Sequence, residues 1–412
     1  MSNRNKKVRF FILIPCLNEQ NNIKGTLEYL NKICKPIEDI CSIYAVTTEK
    51  EKNILNEVYT WDVIRNEISN KSYHNVFNLH YPKTEGGISH QLNYAINSLR
   101  DQGVFNEFDY IVIYNADSRP HPDTFNYILN DSIDYDLKIY QQYSAVLQNF
   151  KELGNSVNGL FLKTFAVFQT RFSLAHEIPR SMRTLSSNTL VSEYSNAHCI
   201  GHGFFIPFKI IESLGKFSEN TMTEDLFLGF LIRSTGHAIK PIPYLENIIS
   251  PKTISSNLYQ KYIWYWGPMY YPYYYWYYKN NFLNGRNSFK SFVIMLQGIL
   301  SATAWSFSGP ILLFGLIFAY LNIHLFMAKI LFFLIFIYAP LQYLVIVYRF
   351  EDIIRYTTGR HAKYFNILDY VFVPILSVLI IIVSSLPTFV SMFMEVYSIT
   401  FGKKLTKNKT EN

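Results

Sequence analysis

The 412-residue chain is predicted to be an α/β protein in its first part, up to about residue 290, followed by an α-helical transmembrane region. Three observations carry that division. The first is bulk composition, since 49% hydrophobic with only 17% charged is too apolar for a disordered chain and too charged for one wholly in a membrane. The second is where the charges lie: residues 291–328 hold no Asp, Glu, Lys or Arg, the apolar run resumes over 330–348 after Lys329, and another covers 370–394. About 20 residues at 1.5 Å each cross a hydrocarbon layer of about 30 Å, so these stretches read as spanning helices. The third is an alternation of short apolar runs with helical spacings over the first 130 residues, the pattern of a parallel sheet with crossover helices.

Taken in order, Phe10-Phe11-Ile12-Leu13-Ile14-Pro15 is a continuous apolar run suited to a strand buried on both faces. Residues 23–30 have helical spacing, 40–46 read as a second strand, 92–99 as a helix, and 110–114 as a third strand ended by the polar turn Asn115-Ala116-Asp117-Ser118-Arg119-Pro120. Ligands of such sheets collect beyond the carboxyl ends of the strands, where Asn18, Glu19, Asn115 and Asp117 fall. Later, Gly201 and Gly203 lead into an apolar run over 204–207, and helices are expected over 209–214 and 227–232. In residues 262–282, thirteen of twenty-one positions are aromatic, which suits the water–lipid boundary better than a core that must find a partner for every hydroxyl. The expected divisions are 8–260 for the α/β domain, 261–290 for an aromatic interfacial segment, 291–395 for three or four transmembrane helices, and 396–412 for a basic tail.

The span count turns on Gly309-Pro310. Residues 291–348 amount to about 87 Å of helix, two long crossings or three short ones with that dipeptide as the break. The basic-loop rule leans to four spans in all, because four return Lys403, Lys404, Lys407 and Lys409 to the side of the soluble domain. Arg349, Arg355, Arg360 and Lys363 follow an apolar run in the same way, so the net charge of +7 suits an anionic lipid surface and forms no nucleic-acid stripe. Cys16, Cys34, Cys41 and Cys199 lack metal-type spacing, and residues 1–9 lead straight into a strand without a signal peptide. A soluble domain on the cytoplasmic face of the cell membrane is expected.

Singly, the chemical candidates are ambiguous. Asp117 alone reads as a turn aspartate ahead of Pro120 and Pro122, although a carboxylate there can also bind a divalent cation. Glu224 and Asp225 sit at a helix start that Thr221 or Thr223 can cap; they suit the helix dipole, and one of them can equally act as a general base. Gln260 and Trp264 share a helical face, an amide and an indole fit to meet a sugar, or simply an interfacial tryptophan with its neighbour.

As an ordered set the motifs are more specific. Ile14-Pro15-x-x-Asn18-Glu19, then Ala116-Asp117 after a strand, then Thr223-Glu224-Asp225, then Gln260-x-x-x-Trp264 before membrane helices resemble a family 2 glycosyltransferase, of the membrane-integrated branch that holds cellulose and hyaluronan synthases. The resemblance implies a GT-A fold, Rossmann-like in its nucleotide-sugar binding, and an inverting transfer to a glycan or lipid-linked acceptor, with polysaccharide synthesis and single-sugar transfer both open. It implies a nucleotide-sugar donor, UDP-sugars foremost, bound by Pro15, Asn18, Glu19, Asn115 and Asp117, and Mg²⁺ or Mn²⁺ on Asp117. Asp225 is implied as the base, with Glu224, Gln260 and Trp264 at the acceptor.

The chain departs from that pattern in four places. Asn115 stands where the first aspartate of Asp-x-Asp is usual, and Thr47-Thr48-Glu49 replaces the aspartate after the second strand, with Glu49 as its candidate substitute on the donor side. A lysine is missing before Leu92-Asn93, and Ile263 replaces the arginine of Gln-x-x-Arg-Trp. The departures leave a third reading, a non-catalytic scaffold of the same fold.

Overall fold

The computed structural model describes residues 8–53, 58–132, 138–358 and 365–402. Arg360, Lys363 and the tail lysines Lys403, Lys404, Lys407 and Lys409 lie outside the described residues. The chain divides into two compact units, Met1–Tyr143 with Arg180–Glu246, and Ser144–Pro179 with Asn247–Asn412.

The strands are β1 (Phe10–Pro15), β2 (Cys41–Thr48), β3 (Val76–Tyr81), β4 (Tyr110–Ile113), β5 (Ile139–Gln141), β6 (Ser144–Ala145), β7 (Phe204–Pro207) and β8 (Ile239–Pro241). All but β6 form one seven-stranded sheet in the first unit, in the order β3-β2-β1-β4-β7-β5-β8. The first four strands are mutually parallel, with Leu13 opposite both Tyr44 and Ile113. The sheet is mixed rather than wholly parallel, because β7 inserts antiparallel between β4 and β5. That insertion sets Phe204 opposite Ile113, so the chain enters β7 at the edge of the sheet where it leaves β4.

β1 is buried on both faces, as its unbroken apolar run requires. Phe10, Ile12 and Ile14 share a core with Leu27, Leu30, Ile43, Val112 and Phe205, while Phe11 and Leu13 are buried as well. Each such side chain contributes roughly 1.5–3 kcal/mol of burial. The Ile23–Cys34 helix presents Ile23, Thr26, Leu27, Leu30 and Cys34 to that core, one stripe at helical spacing.

The second unit is helical. Three of its helices are long and apolar enough to cross a membrane: Phe289–Leu321, Phe326–Arg349 and Ile367–Phe401. The count is three among the described residues, because Gly309-Pro310 does not break the first helix. A side chain at Gly309 would stand 2.0 Å from Ser385 Oγ and 2.8 Å from the Ile382 carbonyl, so glycine lets the first and third helices approach closely there. Trp305 donates to the Ser384 carbonyl at 3.2 Å beside it. Pro340 sits instead in a π-helical turn, Ile337–Leu341, that absorbs the missing N–H without ending the second span. Lys163, on the Val157–Phe172 helix, pairs with Asp369 at 2.9 Å, and neither side chain is more than 3% exposed.

The aromatic stretch divides between two helices, Ile254–Met269 and Tyr271–Phe282. Tyr265, Trp266, Tyr271, Tyr274 and Tyr278 are buried, whereas Trp264 and Trp276 are exposed. Ser306 donates to the Tyr265 hydroxyl at 2.6 Å, and Tyr270 donates to Glu395 at 2.7 Å, so part of the hydroxyl requirement is met inside the unit.

Candidate active site

Three chain reversals meet at the carboxyl edge of β1 and β4 in the first unit. After Pro15, Asn18 adopts φ +56, a left-handed conformation uncommon outside glycine. The Asn18 N–H donates to Glu51 at 2.5 Å, and the Glu19 N–H donates to the Thr60 hydroxyl at 3.0 Å. The Glu19 carboxylate accepts from the Asn22 amide at 3.1 Å, at the start of the Ile23–Cys34 helix.

The second reversal follows β4. The Asn115 N–H donates to Ser118 Oγ at 2.8 Å, and Thr26 donates to the Ala116 carbonyl. Arg119 donates both to Thr26 at 2.5 Å and to the Ser118 carbonyl at 2.7 Å, fixing the turn that carries Asp117. Asp117 is 8% exposed.

The third reversal, Gly201-His202-Gly203, precedes β7. At Gly203, with φ +61, a Cβ would meet the Gln142 carbonyl at 2.4 Å and Glu246 at 2.9 Å, so backbone conformation and space both demand glycine. His202 Nδ1 lies 3.0 Å from the fully buried Glu246 carboxylate. On the other side, the position a Cβ of Gly201 would take is 3.3 Å from Asp225 Oδ2.

Asp225 lies in the first turn of the Glu224–Ser234 helix. The expected threonine cap is absent: Thr223 occupies the N-cap position without a side-chain cap bond, and Asp225 Oδ1 itself accepts from the Leu226 N–H at 2.8 Å. One cavity is lined by Asp225, Glu224, Gly201, Cys199, Phe204 and Ile113, the last residue of β4. The cavity therefore reaches from the Asp225 turn to the last residue of β4, two positions ahead of Asn115, and neither Asn115 nor Asp117 lines it. Burial, reinforced by the Asp225 charge, pushes the Cys199 thiol well up, so it stays protonated and is no nucleophile.

The remaining expected site residues are Glu49, Gln260 and Trp264. Glu49 is held by Lys52 at 2.7 Å and His80 at 3.1 Å, and those two partners, Lys52 first, hold its carboxyl below the usual range. Gln260 and Trp264 belong to the second unit, on the Ile254–Met269 helix. Gln260 accepts from the Gln169 amide at 3.1 Å, and Trp264 is 44% exposed. Ile263 is buried between them.

A divalent cation is compatible with this edge. No group of three or more His, Cys, Asp or Glu gathers among the described residues, which argues against a cage built wholly from protein. Mg²⁺ is commonly held by one or two carboxylates together with substrate phosphates and water, and Asp117, fixed in its turn beside Asn115, supplies that minimum.

Sequence reasoning missed three supports. Glu51 is one. The second is Asn93, whose amide donates to the Phe217 carbonyl at 2.8 Å while its oxygen accepts the Phe217 N–H at 3.1 Å, tying down the loop before Thr223-Glu224-Asp225. Its place next to Leu92, in a pair already singled out, was the available signal. The third is the His202–Glu246 pair, whose members lie 44 residues apart and carry no local signature.

The family profile described as "Glycosyl transferase family group 2" matches residues 110–350, which is 241 of the 412 residues. No curated protein matches. Among solved structures, the chain is similar to the mannosyltransferase PcManGT from Pyrobaculum calidifontis in complex with GDP-Man and Mn²⁺, at TM-score 0.49 and 12% identity, covering 73% of this chain and 71% of that one. It is also similar to S. aureus TarS 1-349 in complex with UDP-GlcNAc, at TM-score 0.44 and 12% identity, covering 95% of this chain and 92% of that one. Likenesses at that level leave donor and acceptor to be settled from this chain's own residues.

Proposed function

This chain belongs to glycosyl transferase family group 2, and from that premise we propose that its first unit transfers a sugar from a nucleotide-sugar donor, UDP-sugars being the expected class, to a glycan or lipid-linked acceptor with inversion at the anomeric carbon. The observation that carries the proposal is a cavity lined by Asp225, Gly201 and the end of β4. Asp225 Oδ1 is engaged by the Leu226 N–H, which leaves Oδ2, on the Gly201 side, to take a proton.

In the proposed step, the acceptor hydroxyl gives its proton to Asp225 Oδ2 and its oxygen forms a bond to the anomeric carbon. The bond from that carbon to the diphosphate oxygen breaks, and its electron pair leaves with the nucleoside diphosphate. Pro15, Asn18 and Glu19 line the nucleoside side, with Glu49 assigned there as well. Asn115 and Asp117 face the diphosphate, and Asp117 would hold Mg²⁺ or Mn²⁺. Such a cation, when bound, supplies positive charge to the departing diphosphate. Glu224, Gln260 and Trp264 are assigned to the acceptor. The catalytic unit is placed on the cytoplasmic side of the cell membrane, where nucleotide sugars are made.

Ile263 favours the narrower of two products. It is buried and brings no charge where an arginine contact to the diphosphate would be expected, and this supports addition of one sugar to a polyprenyl-linked or glycolipid acceptor over chain extension. The test is a screen of nucleotide sugars against membranes holding the protein, reading nucleoside diphosphate release, product length and anomeric configuration. A product of unchanged anomeric configuration would overturn the inverting assignment. A ladder of lengths would replace single transfer with polymerisation.

A further inference from the structure

We propose that Glu51 is a positioning residue that presets the donor pocket through the backbone of Asn18 and Glu19; the proposal rests on the nucleotide-sugar reading above. Glu51 lies in the polar run Glu49-Lys50-Glu51-Lys52, yet its side chain is wholly buried. No lysine or arginine pairs with it among the described residues. Its oxygens are taken by donors from two separate loops: the Asn18 N–H at 2.5 Å, the Thr60 N–H at 2.9 Å and the Thr60 hydroxyl. A buried carboxylate without a cation persists only when such donors satisfy it.

The direction of those bonds points to a role beyond packing. The Thr60 hydroxyl donates to Glu51 and accepts the Glu19 N–H at 3.0 Å. One carboxylate therefore fixes two consecutive N–H groups, Asn18 directly and Glu19 through Thr60. These are the residues of the turn at the carboxyl end of β1, the edge where parallel α/β sheets bind their ligands. Asn18 is held there at φ +56 although it is not glycine. Glu49, closer to the end of β2, is occupied by Lys52 and His80, so Glu51 is the acidic residue after β2 that acts on this turn.

The Asn18 N–H and the Thr60 hydroxyl both meet Glu51 Oε1 while the Thr60 N–H meets Oε2, so glutamine, which keeps the size of glutamate, must either turn its NH₂ toward Asn18 or offer Asn18 a neutral carbonyl while its NH₂ faces the Thr60 N–H. In either orientation Glu51→Gln is expected to weaken the hold on Asn18 in its left-handed conformation. Donor KM should rise 10- to 100-fold, with kcat and acceptor KM within about 3-fold, and affinity for UDP or GDP alone should fall in parallel. Asn18→Gly adopts positive φ without help, so adding Glu51→Gln to it should raise donor KM less than 3-fold further. Thr60→Val, which removes only the relay to Glu19, should raise donor KM about 5-fold.

A folded Glu51→Gln protein with unchanged donor KM would reduce Glu51 to a packing role, and full additivity with Asn18→Gly would show that it does not act through that turn. Should Glu51→Gln fail to fold, unchanged donor KM in Thr60→Val would overturn the proposal. Wild-type protein that turns over no nucleotide sugar would overturn this inference together with the reading beneath it, whereas an active wild type with unresponsive variants overturns this inference alone.

Discussion

Replacing Asp225 by asparagine separates the base role from the structural one, because the two carboxylate oxygens do different work. Oδ1 accepts the Leu226 N–H at 2.8 Å, and an asparagine carbonyl oxygen in the same place can go on accepting it. Oδ2 stands 3.3 Å from where a Gly201 Cβ would lie, on the cavity side, and the NH₂ that replaces it cannot accept a proton. A positioned general base contributes about 10²- to 10⁴-fold, and at about 1.36 kcal/mol per decade that is roughly 3–5 kcal/mol of barrier. Asp225→Asn should therefore lower kcat at least about 100-fold, while donor affinity and the thermal midpoint stay near wild type. The assay is acceptor-dependent release of nucleoside diphosphate, with binding of the nucleotide measured separately. Gly201→Ala provides a graded companion: its methyl would crowd Oδ2 by a few tenths of an ångström, and a drop of about 10-fold in kcat is expected from misplacing the base. Turnover by Asp225→Asn within 10-fold of wild type would refute the reasoning.

Three other outcomes follow from the geometry. Asp117→Ala should abolish transfer and also the part of nucleotide affinity that depends on added Mg²⁺ or Mn²⁺, and activity indifferent to a chelator would remove the metal from Asp117. Lys261 is 1% exposed with its Nζ 4.6 Å from the Phe165 ring, and burial pushes its ammonium down to about 7; since the unfolded chain then holds the extra proton up to the usual lysine range, the thermal midpoint in detergent should climb as pH rises above about 7, and Lys261→Met should flatten that slope. Lys163→Ala should cost about 3–5 kcal/mol by leaving the Asp369 carboxylate buried without its cation, and Lys163→Met with Asp369→Leu should recover most of it, a comparison read by denaturation in detergent.

Most of the framework was legible because it rests on local pattern. A run as apolar as 10–15 has to be a strand buried on both faces, and a stretch as free of charge as 291–328 falls in helices apolar enough to cross a membrane. The chemical residues Asn18, Asn115 and Asp117 could be placed at one edge because strand ends in a parallel sheet share an edge. What stayed hidden depends on contacts distant in sequence. β3 was missed because its apolar residues neither form an unbroken run nor alternate with polar ones, Phe77 being 41% accessible, and β5 and β8 are too short to show a period. The run Glu49-Lys50-Glu51-Lys52 has the composition of a solvated surface, and only Asn18 and Thr60 reveal that one member is buried. Gly309-Pro310 looked like a helix break because both residues weaken helices alone, yet a close neighbour at Ser385 makes glycine the residue that fits.

The membership of residues 144–179 in the helical unit has a practical meaning for anyone wishing to work with a water-soluble fragment. A cut after Glu246 would discard Asp369 and Gln260, stranding Lys163 and Gln169 in the middle of what remained. The catalytic portion cannot be excised with a single stop codon. Its sequence is interrupted by residues 144–179, which fold with the helical unit, so neither unit is a continuous stretch of chain.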